Sequence, residues 1–210
     1  GGLLALGCNI FNMGVIPCLL VYPLIYRRML RKGVTYRRIT VASVICAVVA
    51  LQLGAFAVVL QTTASGISVL PFGAFLLMMQ PIHLAIGVVE GLITAAVLCF
   101  VHQMRPELME SGTVAAQSGP SSMKKLLLSL AVLTVATGGL LSLYASSHPD
   151  GLEWSLERVA GTAELPADGA VYEQAAAVQD KTAFMPDYDY AAPSSAALPG
   201  TSAAGLIGGG

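Results

Sequence analysis

The sequence predicts an all-α membrane protein with about four transmembrane helices, one short half-length helix and a mostly irregular extracytoplasmic C-terminal region. Only 11% of the 210 residues are charged and 55% are hydrophobic, whereas about 25% of the residues in a soluble domain are charged. Over residues 39–104 the only formally charged side chain is Glu90. A soluble helix of that length would need a charged face toward water, so this region is predicted to lie in a lipid bilayer.

Charge is distributed unevenly along the chain. Residues 1–125 contain nine Lys and Arg residues against three acidic ones, and residues 146–210 contain nine acidic residues against two basic ones. Short cytoplasmic loops of membrane proteins are enriched in Lys and Arg. The sequence therefore predicts a multi-pass membrane protein, with basic loops in the cytoplasm and an acidic C-terminal region outside.

The first two spans are predicted at residues 3–26 and 40–60. Each is uncharged and long enough, at about 1.5 Å per residue, to cross a hydrocarbon core of about 30 Å. Pro17 and Pro23 are expected to kink the first span or end it early. Residues 27–38 carry six positive charges and no acid, which predicts a cytoplasmic loop; a nucleic-acid patch is disfavoured because spans flank the loop directly.

The next segment is too long for one upright span and short for two. Residues 61–70 are uncharged and turn-rich, and are expected outside the cell. Residues 71–103 would extend about 50 Å as a helix. We expect Pro81 to divide them into a short helix at 72–80 and one true span at 82–103. A single crossing returns the chain to the basic, cytoplasmic side.

Composition then divides the chain into four segments. Residues 1–104 form the first transmembrane domain. Residues 105–122, rich in Gly, Pro and Ser, are predicted to be a cytoplasmic linker. Residues 123–147 begin with two lysines and continue as an apolar run, which favours a retained fourth span over a cleaved signal peptide. Residues 148–210 are the acidic outer region.

The outer region is expected to contain one short helix. Asp150 is a good N-cap for a helix over residues 151–160, and from Ala191 onward the Ala, Pro, Ser and Gly content predicts little regular structure. The sequence begins without Met and ends as a new apolar run starts. We interpret it as a fragment that stops before a last helix.

Polar residues within the spans are the candidate site residues. Asn9, Asn12 and Met13 are spaced to share one face of an α-helix, where the amides could join helices or support a substrate site. His83, Gly87, Glu90 and Thr94 form a second stripe, at i, i+4, i+7 and i+11. Glu90 is a functional-site candidate, because ionisable residues inside a span are costly unless they are paired or face a cavity. The alternative is a structural Glu that is neutral or hydrogen-bonded to a neighbouring helix, and we expect Glu90 to be buried between helices.

No catalytic or cofactor-binding motif is recognisable. The four cysteines lie at least ten residues apart, which excludes paired-cysteine metal and redox motifs. Met78, Met79 and His83 could be imagined as metal ligands, but adjacent residues of a helix point about 100° apart. Neither a phosphate-binding loop nor a hydrolase motif is present. An enzyme is therefore disfavoured.

Three segments resemble the CbiM/NikM family, the substrate-capturing membrane subunits of cobalt and nickel transporters of the energy-coupling-factor type. They are residues 1–14 (GGLLALGCNIFNMG), the span exit at Tyr26 and Arg27, and residues 81–94 (PIHLAIGVVEGLIT) with the exit at 105–107. Residues 149–154 (PDGLEW) resemble the PDGLE domain, which replaces or accompanies the small CbiN/NikN subunit. The order of these segments makes the resemblance fairly specific.

The resemblance implies import of Co²⁺ or Ni²⁺ as substrate across a prokaryotic plasma membrane, with a coupling subunit in the membrane and ATP hydrolysed by separate cytoplasmic subunits. It assigns no bound cofactor. In that family the metal is held by nitrogens at the extreme amino terminus and by a His of an early loop, and this sequence lacks both. No metal ligand is therefore expected in the 210 residues. Asn9 and Asn12 are expected to support the metal site, and the resemblance gives His83 and Glu90 no role.

Two other functions compete with transport. One is a membrane-anchored assembly protein whose acidic outer region recruits a partner. The other is an intramembrane enzyme, which is weak because no second carboxylate or nucleophile joins His83 and Glu90. An upstream segment that begins Met-His would decide in favour of the transporter.

Overall fold

The computed structural model describes residues 2–66, 70–109, 120–146, 148–163, 165, 169–190 and 198–209. In these ranges the regular structure is entirely helical, which confirms the predicted all-α class. The α-helices are α1 (Gly2–Asn9), α2 (Arg27–Leu30), α3 (Tyr36–Ser65), α4 (Phe72–Met104), α5 (Pro120–Val135), α6 (Gly151–Ala160), α7 (Ala170–Thr182) and α8 (Gly200–Gly209). Two π-helices, π1 (Ile10–Tyr26) and π2 (Ala136–Leu140), continue α1 and α5, and short 3₁₀ turns cover Pro106–Leu108, Leu141–Tyr144 and Pro186–Tyr188.

Four helical segments are long and apolar enough to cross a membrane. They are Ala5–Leu30, Tyr36–Ser65, Phe72–Met104 and Met123–Tyr144. The four predicted spans are thus confirmed, and each observed helix includes most of the corresponding prediction. The predicted linker at 105–122 falls largely outside the described residues.

The described residues form two compact units. The first contains residues 1–115 and 149–168, and the second contains residues 116–148 and 169–210. Helix α6 therefore belongs to the same unit as the first three spans and contacts α4, although the fourth span separates it from them along the chain. The prediction instead placed a domain boundary at residue 148 and grouped α6 with the rest of the acidic C-terminal region.

In the first unit, α3 lies between the first span and α4 and contacts both. Small residues permit the α3–α4 contact. A Cβ atom placed on Gly87 would lie 2.9 Å from the Cα of Val48, and one placed on Gly91 would lie 2.6 Å from the Cα of Val44. Neither position can hold a larger side chain without moving a backbone, so two glycines one turn apart set the spacing of these helices.

The predicted break at Pro81 is wrong, because α4 continues through it as one 33-residue helix. The side chain of Gln52 donates a hydrogen bond to the carbonyl oxygen of Gln80 at 2.8 Å, and that of Gln80 donates to the carbonyl oxygen of Gln52 at 3.2 Å. These two bonds join α4 to α3 directly beside Pro81, and packing against a neighbouring helix lets a transmembrane helix continue through proline. The predicted single crossing is retained, but the separate half-length helix is absent from the described region.

The first span also continues past its two prolines. Pro17 and Pro23 lie inside π1, where the helix has i→i+5 hydrogen bonds. Local π register is one way in which transmembrane helices accommodate proline, because it offers new partners to the freed backbone groups. The expectation of an early end to this span is therefore wrong.

The second unit corrects the prediction of a mostly irregular outer region. α7 is a 13-residue helix whose sequence contains four alanines, and α8 covers residues for which little regular structure was predicted. α8 packs against π2, where a Cβ on Gly138 would lie 2.7 Å from the carbonyl oxygen of Gly205. The composition of α8 suits this contact, because small residues let two helix backbones approach. Residues 191–197 lie outside the described region.

The positive charges predict a membrane orientation that can be tested. A single cysteine at Ser118, in a cysteine-free background, is expected to resist a membrane-impermeant thiol reagent in intact cells, since the linker should be cytoplasmic. A cysteine at Ser146 is the matched outer position and should react. Labelling at Ser118 equal to that at Ser146 would contradict this topology.

Candidate functional site

An amide pair joins the first span to α3. The side chain of Asn12 donates to Oε1 of Gln61 at 3.0 Å, and Nε2 of Gln61 donates back to Oδ1 of Asn12 at 3.3 Å. Asn12 is only 6% exposed, and its backbone lies against Gly54, which shares a face of α3 with Gln61. Because each amide satisfies the other, the pair fixes the position of the first span without a charge.

The structure separates Asn12 from the residues predicted to share its face. Asn9 is exposed and Met13 is 76% exposed. The predicted common face assumed α-helical periodicity, but residues from Ile10 onward follow the wider π register. Of this set, only Asn12 therefore points into the helix bundle, and the supporting role predicted for both asparagines stays a prediction.

His83 lies where the outer helix α6 meets α4. Its Nδ1 lies 2.8 Å from the carbonyl oxygen of Met79, and since a carbonyl only accepts, Nδ1 carries the proton. A Cβ placed on Gly151 would lie 3.2 Å from Cε1 and 3.5 Å from Nε2 of His83. The imidazole is thus held beneath the first residue of α6, with Nε2 toward that helix.

The contact between α6 and the spans is apolar. Leu156 belongs to a buried cluster with Phe75 and Met79 of α4 and Val59 of α3. Partly buried side chains extend the cluster; they are Val58, Leu76, Leu152, Val159 and Leu165. Asp150 begins α6 with a complete capping box, in which it accepts from the backbone N–H groups of Leu152 and Glu153. The predicted N-cap and helix bounds are confirmed.

Glu90 does not lie between helices, and the expectation of its burial is wrong. Its side chain is exposed on the surface of the first unit, while Gly87 and Gly91 turn toward α3. Thr94 is also exposed and continues the same stripe one turn further on. Of the four stripe residues, Gly87 is covered by α3 and His83 by α6, whereas Glu90 and Thr94 are exposed.

Within the described ranges, no group of three His, Cys, Asp or Glu side chains could hold a metal ion. The Asn12–Gln61 pair offers neutral amide oxygens, which suit harder ions than nickel or cobalt. The imidazole of His83 is the better ligand type but stands singly. Among the described residues, the arrangement positions helices and does not form a metal centre.

Known protein families match both parts of the chain. Residues 1–108 match the family model CbiM, described as the cobalt uptake substrate-specific transmembrane region. The chain belongs to the CbiM family. Residues 124–210 match the model of the PDGLE domain, so the resemblance found in the sequence is confirmed for both parts.

A relative from Haloquadratum walsbyi is 31% identical over 111 residues and is named "Putative metal transport protein". The match covers 52% of this chain and 47% of the relative, so the chain spans about half the length of the curated relative that it matches. No solved structure matches the chain significantly.

Sequence reasoning missed two polar residues of this CbiM-family chain. Gln61 was assigned to an outer loop, but α3 continues to Ser65 and carries Gln61 into contact with Asn12. Gln80 was placed at the end of a short helix, whereas it pairs with Gln52 in mid-helix. An available signal was the seven-residue spacing of Gly54 and Gln61, which places both on one face of a helix.

The amide pair predicts a measurable coupling energy. Asn12→Leu is expected to lower the free energy of unfolding by about 1–2 kcal/mol, because it leaves the Gln61 amide without its partner. The double variant Asn12→Leu with Gln61→Leu should recover part of that loss. Unfolding titrations in mixed detergent micelles measure all three variants, and strictly additive effects would show that the pair is not coupled.

Proposed function

We propose that this chain is part of the substrate-capturing membrane subunit of an energy-coupling-factor transporter, which imports Co²⁺ or Ni²⁺ across a prokaryotic plasma membrane. The match of residues 1–108 to the cobalt uptake family is the observation that carries the proposal. In this proposal a membrane coupling subunit and cytoplasmic ATPases supply the energy, and the chain itself transports and does not catalyse a reaction.

The packing of α6 supports a role for the PDGLE region within the transporter. The helix covers Phe75 and Met79 at one end of the α3–α4 pair and lies directly over His83. By the charge distribution this is the outer end, where a metal ion would enter. We therefore assign to α6 the task of holding the outer ends of α3 and α4 in place while substrate is captured.

The competing assembly-protein hypothesis has less support. A recruiting module would be expected to carry its binding surface on a separately folded outer domain. Instead, the start of the acidic region, Asp150 to Ala160, is packed into the first unit with the spans. This arrangement favours action on the spans over recruitment of an outside partner.

Uptake measurements test the proposed function. Cells that express the protein as its gene encodes it, together with a coupling subunit and ATPase subunits of this transporter type, should accumulate labelled Co²⁺ or Ni²⁺ in an ATP-dependent manner. Parallel assays with each metal identify the substrate. If cells with inactive ATPase subunits accumulate as much of either metal as cells with active ones, this type of transport is excluded.

Glu90 provides a residue-level prediction. An exposed carboxyl group in the middle of a span is costly in lipid, so it needs a protein or ionic partner in the working transporter. Glu90→Gln, which keeps the shape and removes the charge, is expected to lower uptake severalfold without lowering the amount of protein in the membrane. Uptake is measured per molecule of membrane protein.

The matched control for Glu90 is Val89→Gln, which places the same amide at the neighbouring exposed position of α4 and keeps the carboxyl group. It should transport like the natural protein. If Glu90→Gln transports at the same rate as this control, Glu90 has no part in transport.

A further inference from the structure

A large cavity opens at the arginine-rich end of the first unit, between the first span and α4 and over one face of α3. Its volume is about 1070 Å³, somewhat above the roughly 300–1,000 Å³ of common small-molecule sites. The side chains that line it change in character from rim to floor. The lining includes Arg27, Arg28 and Arg31, then Tyr26 and Ser43, and then Pro17, Val21, Ala50 and Leu98.

The rim is cationic and is not neutralised by the residues around it. None of its three guanidinium groups forms an ion pair with a carboxylate in the described part of the chain, where the one ion pair joins Arg105 to Glu107. Arg38 instead closes the loop itself, since its guanidinium donates to the carbonyl oxygens of Lys32 and Gly33. The loop that carries Arg31 is therefore fixed in place, and the rim arginines remain available to an anion.

Two hydroxyl groups lie below the rim. Ser43 is 2% exposed, and its hydroxyl lies beside that of Tyr26, yet neither forms a hydrogen bond of good geometry. Both residues line the cavity. Tyr26 and Ser43 therefore form a more polar part of the cavity wall between the cationic rim and the apolar floor.

The floor is apolar and extends well into the membrane. From Ser43 to Ala50 the lining of α3 covers about 10 Å at 1.5 Å per residue, and Pro17 and Leu98 face the same space from the other two helices. A soluble anion would leave this part unfilled. A ligand with an anionic head, ester oxygens and a hydrocarbon chain matches all three layers of the cavity in order.

We propose that this cavity binds an anionic phospholipid of the cytoplasmic leaflet, with its phosphate at Arg27 and Arg31, its glycerol backbone at the level of Tyr26 and Ser43, and an acyl chain along Pro17 and Ala50. Arginine recognises phosphate by paired N–H donors, and basic pockets between transmembrane helices on the cytoplasmic side are suited to anionic headgroups. The lipid would bridge the first span and α4, which have few direct contacts with each other.

Native mass spectrometry of the purified protein tests this site. With equal amounts of phosphatidylglycerol and phosphatidylethanolamine in the micelles, the natural protein should retain phosphatidylglycerol preferentially. The double variant Arg27→Gln with Arg31→Gln should lower its retention about tenfold or more. The matched control is Lys32→Gln with Arg37→Gln, which removes the same charge from the same loop outside the cavity and should change retention less than threefold.

Two further measurements distinguish a bound lipid from a soluble anion and from a general effect of loop charge. Ala50→Phe fills the apolar floor without changing charge and should also expel phosphatidylglycerol, while inorganic phosphate at constant ionic strength should not displace it. Equal loss in the rim and control variants, or retention unaffected by Ala50→Phe, would overturn the proposal. Displacement by inorganic phosphate would overturn it in favour of a soluble anion.

Discussion

Gly91→Val is expected to destabilise the α3–α4 pair by about 3 kcal/mol. A Cβ atom at this position would lie 2.6 Å from the Cα of Val44. Because Val44 Cα is a backbone atom, no change of side-chain rotamer can relieve this clash. The two helices must therefore separate, which also loosens the contacts of Ala47 and Ser43 around the glycine. Thermal unfolding in mild detergent should show a lower midpoint, and membranes should contain less of the protein.

The same helix offers a matched control. Gly73 also lies in α4, but a Cβ atom placed there meets nothing within 4 Å. Gly73→Val makes the same substitution in the same helix without the clash. Equal melting temperatures for the two variants would mean that the close approach of α3 and α4 does not limit stability.

Leu156→Asp should release α6 from the spans and reduce metal uptake strongly. The change places a carboxylate among Phe75 and Met79 in a buried apolar cluster, where an unpaired charge is highly unfavourable. Trp154 is the only tryptophan of the sequence and lies in this helix. Its emission is therefore expected to shift to longer wavelength, and trypsin should cleave after Arg158 at least about tenfold faster as the helix opens.

Two comparisons control this experiment. Ala160→Asp introduces the same side chain at an exposed position of α6 and should leave fluorescence and cleavage after Arg158 unchanged. Cleavage after Lys181, in the second unit, should occur at the same rate in every variant. If Leu156→Asp loses α6 docking but transports normally, the proposed role of the outer helix fails while the transport function itself stands.

The spans could be predicted because their signal is carried by composition over about 20 residues. A stretch such as 39–104, with Glu90 as its one formal charge, has few alternatives to a bilayer. The start of α6 was equally predictable, because Asp150 and Glu153 sit at the spacing of a capping box. In both cases neighbouring residues along the chain determine the structure.

The errors concern features that depend on contacts between distant residues. Pro81 is a helix breaker by itself, but Gln52, on the neighbouring helix, binds the backbone beside it. The glycine-rich sequence of α8 has weak helix propensity, and contact with Gly138 in π2 accompanies its helical form. The burial of Asn12 could not follow from α-helical spacing, because the π register was not visible in the sequence.

The position of α6 has a consequence for how it is held. The helix is only about 15 Å long and meets α4 mainly through Leu152, Leu156 and Val159, far less surface than two separate proteins need for a stable complex. Covalent connection to the spans gives it an effective concentration that free diffusion would not provide. Cutting the chain between α4 and α6 would therefore turn a permanent contact into one that dissociates on dilution.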